Sequence, residues 1–107
     1  MFRNYATVDL QFMRSVCVCL LFEGDSLWRH RGHKFSTRDQ DNDVWPNACA
    51  LTFRGAWWYY NCHNSNLNGA YLRGNHSSYA DGVNWIHWTG AYYSLRFTEM
   101  KIKPFNV

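Results

Sequence analysis

Frequent turn signals are the feature that most constrains how this chain can fold. From Glu23 onward, clusters of Gly, Asn, Asp and Ser recur every few residues and separate short aromatic or β-branched runs. Such clusters end regular elements, and no helical periodicity is sustained between them. The candidate strands are therefore short: residues 50–53 (ALTF), 56–60 (AWWYY) and 91–104. The pattern predicts a loop-rich, mostly β domain that depends on its turns.

The last candidate strand, residues 91–104, cannot be flat and uniform. The apolar residues Tyr93, Leu95 and Phe97 stand at odd-numbered positions, whereas Met100 and Ile102 stand at even-numbered positions. Alternate residues of a strand point to opposite faces of the sheet. We therefore expect either a bulge or break near residues 98–99, or a strand that is buried on both faces.

Length and composition set the class of protein. The chain has 107 residues, enough for one modest domain, and its six Trp, seven Tyr and seven Phe argue against disorder. A net charge of +3 gives weak grounds for a nucleic-acid partner. The one basic cluster, RHRGHK at residues 29–34, has no further basic run to extend it, so we interpret it as a solvated loop.

The four cysteines form two unlike pairs. Cys17 and Cys19 lie in an apolar run, and C-x-C without a second ligand pair is a weak metal signal, so this pair stays unassigned. Cys49 and Cys62 stand among turn residues and could close a loop. We interpret them as an extracellular disulfide, and closing a loop of about 15 residues is worth roughly 3 kcal/mol in the chain-entropy description.

Residues 1–22 differ from the rest of the chain because they are mixed in composition and lack turn signals, and they suggest no regular element. The apolar stretch 13–22 is too short to cross a bilayer, so no membrane span is predicted. It is also a poor export signal, because it begins well inside the chain and lacks a small-residue cleavage site. We expect residues 1–22 to be an atypical segment and residues 23–107 to form the domain.

Three aspartates, Asp39, Asp41 and Asp43, stand at alternate positions in this mildly basic chain. Their spacing matches the start of an EF-hand loop, but the sixth and twelfth positions are Val44 and Ala50 instead of Gly and Glu, which excludes that motif. A different cage of oxygen ligands would suit Ca²⁺. Spacing alone leaves this alternative and a solvated or helix-capping acidic turn equally open.

Several motifs in the second half occur in a distinctive order. They are KFSTRDQDND, NACA, GAWWYYNCHNSNLNGAYL, SYADGVNW and FTEMKIKPFN. Together they resemble the C-terminal part of the fibrinogen-like globular domain, whose members include fibrinogen chains, tenascins, ficolins and tachylectin-type lectins. The resemblance covers about residues 24–107 and implies an α+β, mostly antiparallel fold. Residues 1–22 do not resemble the earlier part of that domain, so the resemblance implies a truncated domain whose C-terminal strand lacks its partner.

The resemblance also implies a structural calcium ion. The side chains of Asp41 and Asp43 would be its carboxylate ligands, and the backbone carbonyls of Trp45 and Asn47 would complete the protein's share. Asp39 would lie near the ion without binding it directly. The family's disulfide beside this loop matches Cys49 and Cys62.

A recognition pocket beside the calcium is implied by the same match. In lectin-like members it holds acetyl groups and performs no chemistry. A cis peptide at Asn61–Cys62 would aim the amides of Cys62 and His63 at a ligand oxygen. Tyr79 and Ala80 would contact the acetyl methyl group, because an aromatic face beside a small residue suits a methyl.

Two positions depart from the lectin pattern. Phe53 stands where sugar-binding members commonly have Tyr, so the ring is kept and the hydroxyl is lost. Ala91 stands where a large aromatic wall is common, and Tyr92 is the candidate replacement. Ligands of two classes follow: acetylated glycans, as for lectins of innate immunity, or an extracellular protein, as for matrix and receptor-binding modules. We favour the glycans.

No enzyme is predicted. The sequence has no G-x-S-x-G, H-E-x-x-H or phosphate-binding loop, and a disulfide-bonded Cys62 would be no nucleophile beside His63. Asn75 begins a glycosylation sequon that is usable if the protein is secreted, as the resemblance implies. We expect no nucleic-acid partner, and any oligomer is expected to form through regions absent from this sequence.

Overall fold

The computed structural model describes residues 4–9 and 24–103. The unassigned pair Cys17 and Cys19 and the apolar stretch 13–22 lie outside these ranges. The described elements are a 3-10 helix (Trp28–His30), two α-helices, α1 (Cys49–Phe53) and α2 (Ile86–Thr89), and six strands, β1 (Asn4–Asp9), β2 (Ser65–Asn66), β3 (Gly74–Asn75), β4 (Asn84–Trp85), β5 (Tyr93–Ser94) and β6 (Thr98–Lys103).

The strands pair in three separate two-stranded sheets. β2 with β4 and β3 with β5 are antiparallel, as predicted, but the longest pair, β1 with β6, is parallel. Its register runs from Asn4 opposite Thr98 to Asp9 opposite Lys103. The expectation that the C-terminal strand would lack a partner is therefore wrong, because β1 supplies one from a segment for which no element was predicted.

Two predicted strands are also wrong. Residues 50–53 belong to helix α1, which Thr52 supports by donating its N–H and its hydroxyl to the Ala48 carbonyl. The helix ends at Arg54, whose φ of 59° is left-handed. Residues 56–60 form no described strand: Trp57 makes a single bridge to Ser36, although alternate side chains here are buried as they would be in a strand.

The prediction for residues 91–104 is confirmed in outline. The segment divides into β5 and β6, so the break that was one of the two alternatives is present; it falls at residues 95–97, whereas residues 98–99, near which it was predicted, begin β6. Leu95 remains in the core, where it donates its N–H to the Val83 carbonyl at 2.8 Å.

Buried amides hold the turns together where long strands are absent. The apolar core consists of Leu27, Cys49, Ala50, Trp57, Tyr59, Val83, Trp85 and Leu95. Within it, the fully buried Asn66 donates its side-chain N–H groups to the carbonyls of Phe53 (2.9 Å) and Gly82 (3.1 Å) and accepts from the Tyr59 hydroxyl. Because a buried carbonyl without a partner is costly, this one side chain fixes three segments.

His30 corrects the interpretation of residues 29–34 as a solvated loop. Its neighbours Arg29 and Arg31 are exposed, but its own imidazole is fully buried. Nδ1–H donates to the Trp58 carbonyl at 2.8 Å, and Nε2 accepts the N–H of Asn64 at 3.0 Å. Burial lowers the pKa of His30 to about 4, so the ring is a neutral structural crosslink at neutral pH.

In the parts of the chain that the structure describes, no helix has the length and apolar character needed to cross a membrane.

Candidate functional site

The acidic loop is organised around Asp43. Its Oδ1 accepts the N–H of Trp45 at 3.0 Å, and its Oδ2 accepts the N–H of Cys49 at 2.9 Å, where α1 begins. The Asp43 N–H in turn donates to Oδ1 of Asp41 at 3.2 Å. One carboxylate therefore shapes the loop and caps the helix, and it lies beside a second carboxylate.

Among the described residues, no cationic side chain contributes to the pKa shift of Asp43. The pKa of Asp43 is raised, first because partial burial desolvates the carboxylate and further because Asp41 lies beside it. The amides of Cys49 and Trp45 oppose the shift but do not cancel it. A cation at this position would reverse the shift.

The residues present fit a hard cation. Two neighbouring carboxylates with the nearby carbonyls of Trp45 and Asn47 would offer only oxygen, which Ca²⁺ prefers. Among the side chains that the structure describes, no cluster of three or more His, Cys, Asp or Glu is found, so carbonyls or water would have to complete any ligand set at this loop. Asp39 is engaged separately: it accepts the Thr37 hydroxyl at 2.8 Å, and this bond lowers its pKa.

The Cys49–Cys62 disulfide is present, with Cα atoms 5.6 Å apart, and confirms the predicted pairing. It joins the first residue of α1 to the segment that follows the aromatic run. The Val44 N–H also donates to the Tyr60 carbonyl at 3.2 Å. The acidic loop is thus held against residues 60–62 by one covalent bond and one hydrogen bond.

A cleft of about 260 Å³ opens beside this crosslink. Five of the six residues predicted to contact a ligand line it. The sixth, Tyr92, is not a lining residue, but its ring packs against Tyr79 with centroids 5.6 Å apart. The complete lining is Trp45, Phe53, Asn61, Cys62, His63, Tyr79 and Ala80.

The imidazole of His63, a residue that lines this cleft, is held by one hydrogen bond. Its Nε2–H donates to the Ala80 carbonyl at 2.8 Å. That tautomer leaves Nδ1 as a lone-pair acceptor, and within the described residues this buried atom has no partner. Burial lowers the pKa of His63, so the ring stays neutral at neutral pH.

Aromatic rings form the apolar side of the cleft. Phe53 meets the His63 ring edge-on, with centroids 5.1 Å apart, and lies 6.1 Å from Trp45 and 6.5 Å from Tyr79. Tyr79 is 63% exposed at the rim, whereas Ala80 is buried. The arrangement provides a small apolar recess beside polar backbone.

The backbone around the cleft has two unusual features. The Asn61–Cys62 peptide is cis, as the resemblance implied, and Ala80 has a left-handed φ of 59°, which was not predicted. The Ala80 N–H donates to the Ala91 carbonyl at 2.9 Å, which brings the position of the missing aromatic wall next to the recess. Asn75 of the sequon is exposed on β3.

Sequence reasoning missed two cleft residues. Trp45 was assigned only a carbonyl role, yet its ring lines the cleft, and Asn61 was assigned none. The sequence signal for Trp45 is its position two residues after Asp43, whose carboxylate accepts its backbone N–H. No sequence signal identifies Asn61, because its place depends on the backbone at Cys62.

The chain matches a known family over most of its length. The family described as "Fibrinogen beta and gamma chains, C-terminal globular domain" matches residues 5–105, which begins upstream of Gly24. Fibrinogen C domain-containing protein 1 of Xenopus tropicalis is 65% identical over 81 residues, covering 76% of this chain and 18% of that protein. Techylectin-5A of Tachypleus tridentatus is 56% identical over 86 residues, covering 78% of this chain and 30% of that protein.

Solved structures agree with the sequence matches. The fibrinogen-like globe domain of human ANGPTL6 superposes with a TM-score of 0.65 at 50% identity, covering 69% of this chain and 34% of that one. Lamprey fibrin D-dimer, complexed with the peptide Gly-His-Arg-Pro-amide, gives a TM-score of 0.59 at 38% identity, covering 63% of this chain and 23% of that one. The chain therefore spans about a third or less of the proteins it matches.

Proposed function

Because the chain belongs to the family of fibrinogen C-terminal globular domains, we propose that it is a calcium-stabilised extracellular recognition module that binds acetylated glycans. The observation that carries this proposal is the cleft that gathers Phe53, Cys62, His63, Tyr79 and Ala80. Chemistry on the ligand is not part of the proposal, since the family consists of binding modules. Similarity to a lectin, Techylectin-5A, supports the glycan.

Calcium would act on the protein and not on the ligand. Asp41 and Asp43 would hold it with the carbonyls of Trp45 and Asn47, and its charge would relieve the repulsion between the two carboxylates. Asp43 already positions the Trp45 amide, and the Trp45 ring lines the cleft. An ion on this loop would therefore stiffen one wall of the recess.

An acetamido group suits the cleft on both of its sides. The methyl would lie between Tyr79 and Ala80, and its oxygen would accept from the amides of Cys62 and His63. The methyl and the oxygen of the acetyl group would then each meet a matching protein group, which a small polar group needs in a partly closed site.

A protein ligand is the second candidate. The lamprey fibrin relative was solved with a bound peptide. In this chain Phe53 lacks a hydroxyl, and Ala91 opens one side of the recess. An extended peptide end would tolerate that open side better than a single sugar ring.

Retention on N-acetylglucosamine resin tests the proposal. We expect the chain to bind in Ca²⁺ and to elute with chelator, and we expect Tyr79→Ala to abolish retention. Tyr71→Ala is the matched control, because Tyr71 is a similarly exposed tyrosine outside the cleft. No calcium-dependent retention would overturn the glycan proposal, and binding of Gly-His-Arg-Pro-amide in that case would favour the peptide.

A further inference from the structure

A second group of residues, none of which lines the cleft, gathers positive charge. Between Ser26 and Arg38 the sequence places four permanent cations, Arg29, Arg31, Lys34 and Arg38, and no carboxylate. Two of them, Arg29 and Arg31, lie on aromatic rings, and we call these arginines with Trp28 and Tyr60 the stacked-arginine patch.

Both guanidinium groups are pre-positioned by stacking. Cζ of Arg31 lies 3.9 Å from the ring centroid of Trp28, and Cζ of Arg29 lies 5.0 Å from that of Tyr60. Cation–π contacts of this kind restrain a long side chain that would otherwise sample many rotamers. Trp28 is itself 53% exposed, so the stacked pair stands in solvent.

The edges of both guanidinium groups are left open. Stacking occupies the face of the group, whereas its N–H donors point outward in the plane. In the described part of the chain, neither arginine has a carboxylate within 4.0 Å or a side-chain hydrogen bond, and the ion pairs found there all involve Asp81. As far as the described residues show, two stacked donor forks are therefore available to an external anion.

The backbone beneath the patch is firmly held. His30, between the two arginines, is buried and crosslinks Trp58 to Asn64. The Arg31 N–H donates to the Trp28 carbonyl at 3.2 Å, and Oδ1 of Asp25 accepts the Trp28 N–H at 2.9 Å. The backbone positions from which the two arginines extend are thus set by the fold.

We propose that the stacked-arginine patch is a second binding site, which holds a sulfated polysaccharide. A guanidinium fork matches the geometry of a tetrahedral oxyanion and can bind it through two N–H groups. Two forks that extend from neighbouring positions and stack on separate rings match repeated anions along a polymer better than one free ion. The disulfide and the family's extracellular members favour a glycan over a nucleic acid.

The test uses the full chain and a fully N-sulfated heparin oligosaccharide, which carries no acetyl group for the cleft. We expect Arg29→Gln/Arg31→Gln to weaken binding at least about tenfold. Arg73→Gln/Arg96→Gln is the matched control, because it removes the same charge from exposed arginines outside the patch, and we expect it to weaken binding less than about threefold. Excess N-acetylglucosamine should leave heparin binding unchanged.

Several results would overturn the proposal. Equal losses in the two double variants would mean that only net charge attracts the probe. Equal binding of desulfated heparin would remove the requirement for sulfate, and tighter binding of duplex DNA would assign the patch to nucleic acid. Arg29→Lys/Arg31→Lys keeps both charges but loses the forks, so wild-type affinity in this variant would refute the stacked geometry. Circular dichroism of each variant checks that its fold is intact.

Discussion

Replacing Asp41 and Asp43 separately by Asn should have different effects with and without calcium. Without the ion, Asp43→Asn leaves one oxygen for two backbone N–H groups, those of Trp45 and Cys49. One of these N–H groups then has no acceptor, and the other bonds to a neutral amide oxygen instead of a charged carboxylate. We therefore expect a loss of about 2 kcal/mol in the free energy of unfolding. Asp41 accepts one longer bond at an exposed position, and its removal relieves repulsion, so Asp41→Asn should change stability by less than about 0.5 kcal/mol.

With calcium present, the two variants should converge. An ion at about 100 times its dissociation constant would add about 2.7 kcal/mol to the wild type, and both variants should lose most of that gain. The free energy of unfolding would be measured by urea titration in EDTA and in Ca²⁺. A change of 1 kcal/mol corresponds to about 4–8 °C in the melting temperature of a domain of this size.

Two results would refute this reasoning. If Asp41→Asn retains the full calcium gain, Asp41 is not a ligand. If Asp43→Asn is no more costly than Asp41→Asn in EDTA, the two amide bonds of Asp43 do not hold the loop. Asp39→Asn is the control, and it should keep nearly the full calcium gain, because its carboxylate serves the Thr37 turn.

Three further outcomes are expected. His30, with its pKa lowered to about 4, binds fewer protons folded than unfolded, so the stability that it contributes is complete above about pH 6.5 and falls, by about 3 kcal/mol, as the pH drops towards 4. Urea titrations across this range should show less dependence on pH in His30→Gln than in His33→Gln. Asn66→Ala should cost about 3 kcal/mol, because two buried carbonyls lose their donor, whereas Asn68→Ala, which removes one exposed bond, should cost less than about 1 kcal/mol in the same assay. Phe53→Tyr should tighten calcium-dependent binding of N-acetylglucosamine by about threefold to tenfold in calorimetry, and unchanged affinity would show that the hydroxyl does not reach the ligand.

The features that could be predicted from the sequence are those that depend on residues close together in the chain. The turns, the Cys49–Cys62 pairing and the break before β6 depend on nearby residues, and the structure contains all three. Most cleft residues were found through resemblance, since the residues between Phe53 and Ala80 come together through long-range contacts such as the disulfide, the Asn66 bonds and the bond from His63 to the Ala80 carbonyl.

The errors arose where distant parts of the chain decide the outcome. The tetrapeptide at residues 50–53 is apolar and ambiguous between strand and helix, and the carboxylate of Asp43 at the Cys49 amide favours the helix. β1 carries no strong pattern of its own, and its parallel pairing with β6 joins opposite ends of the chain. His30 looked like a surface cation because its partners, Trp58 and Asn64, lie about thirty residues away.

Trp45 touches both proposed sites, since its amide bonds to Asp43 and its ring lines the cleft. If calcium on the acidic loop stiffens the cleft wall at Trp45, binding at the two sites is linked, and thermodynamic linkage is reciprocal. Whatever factor calcium contributes to the affinity for a glycan, the glycan must return to the affinity for calcium. Where calcium is scarce, binding to a surface dense in the glycan would therefore raise the protein's affinity for calcium. Release from that surface would lower this affinity again.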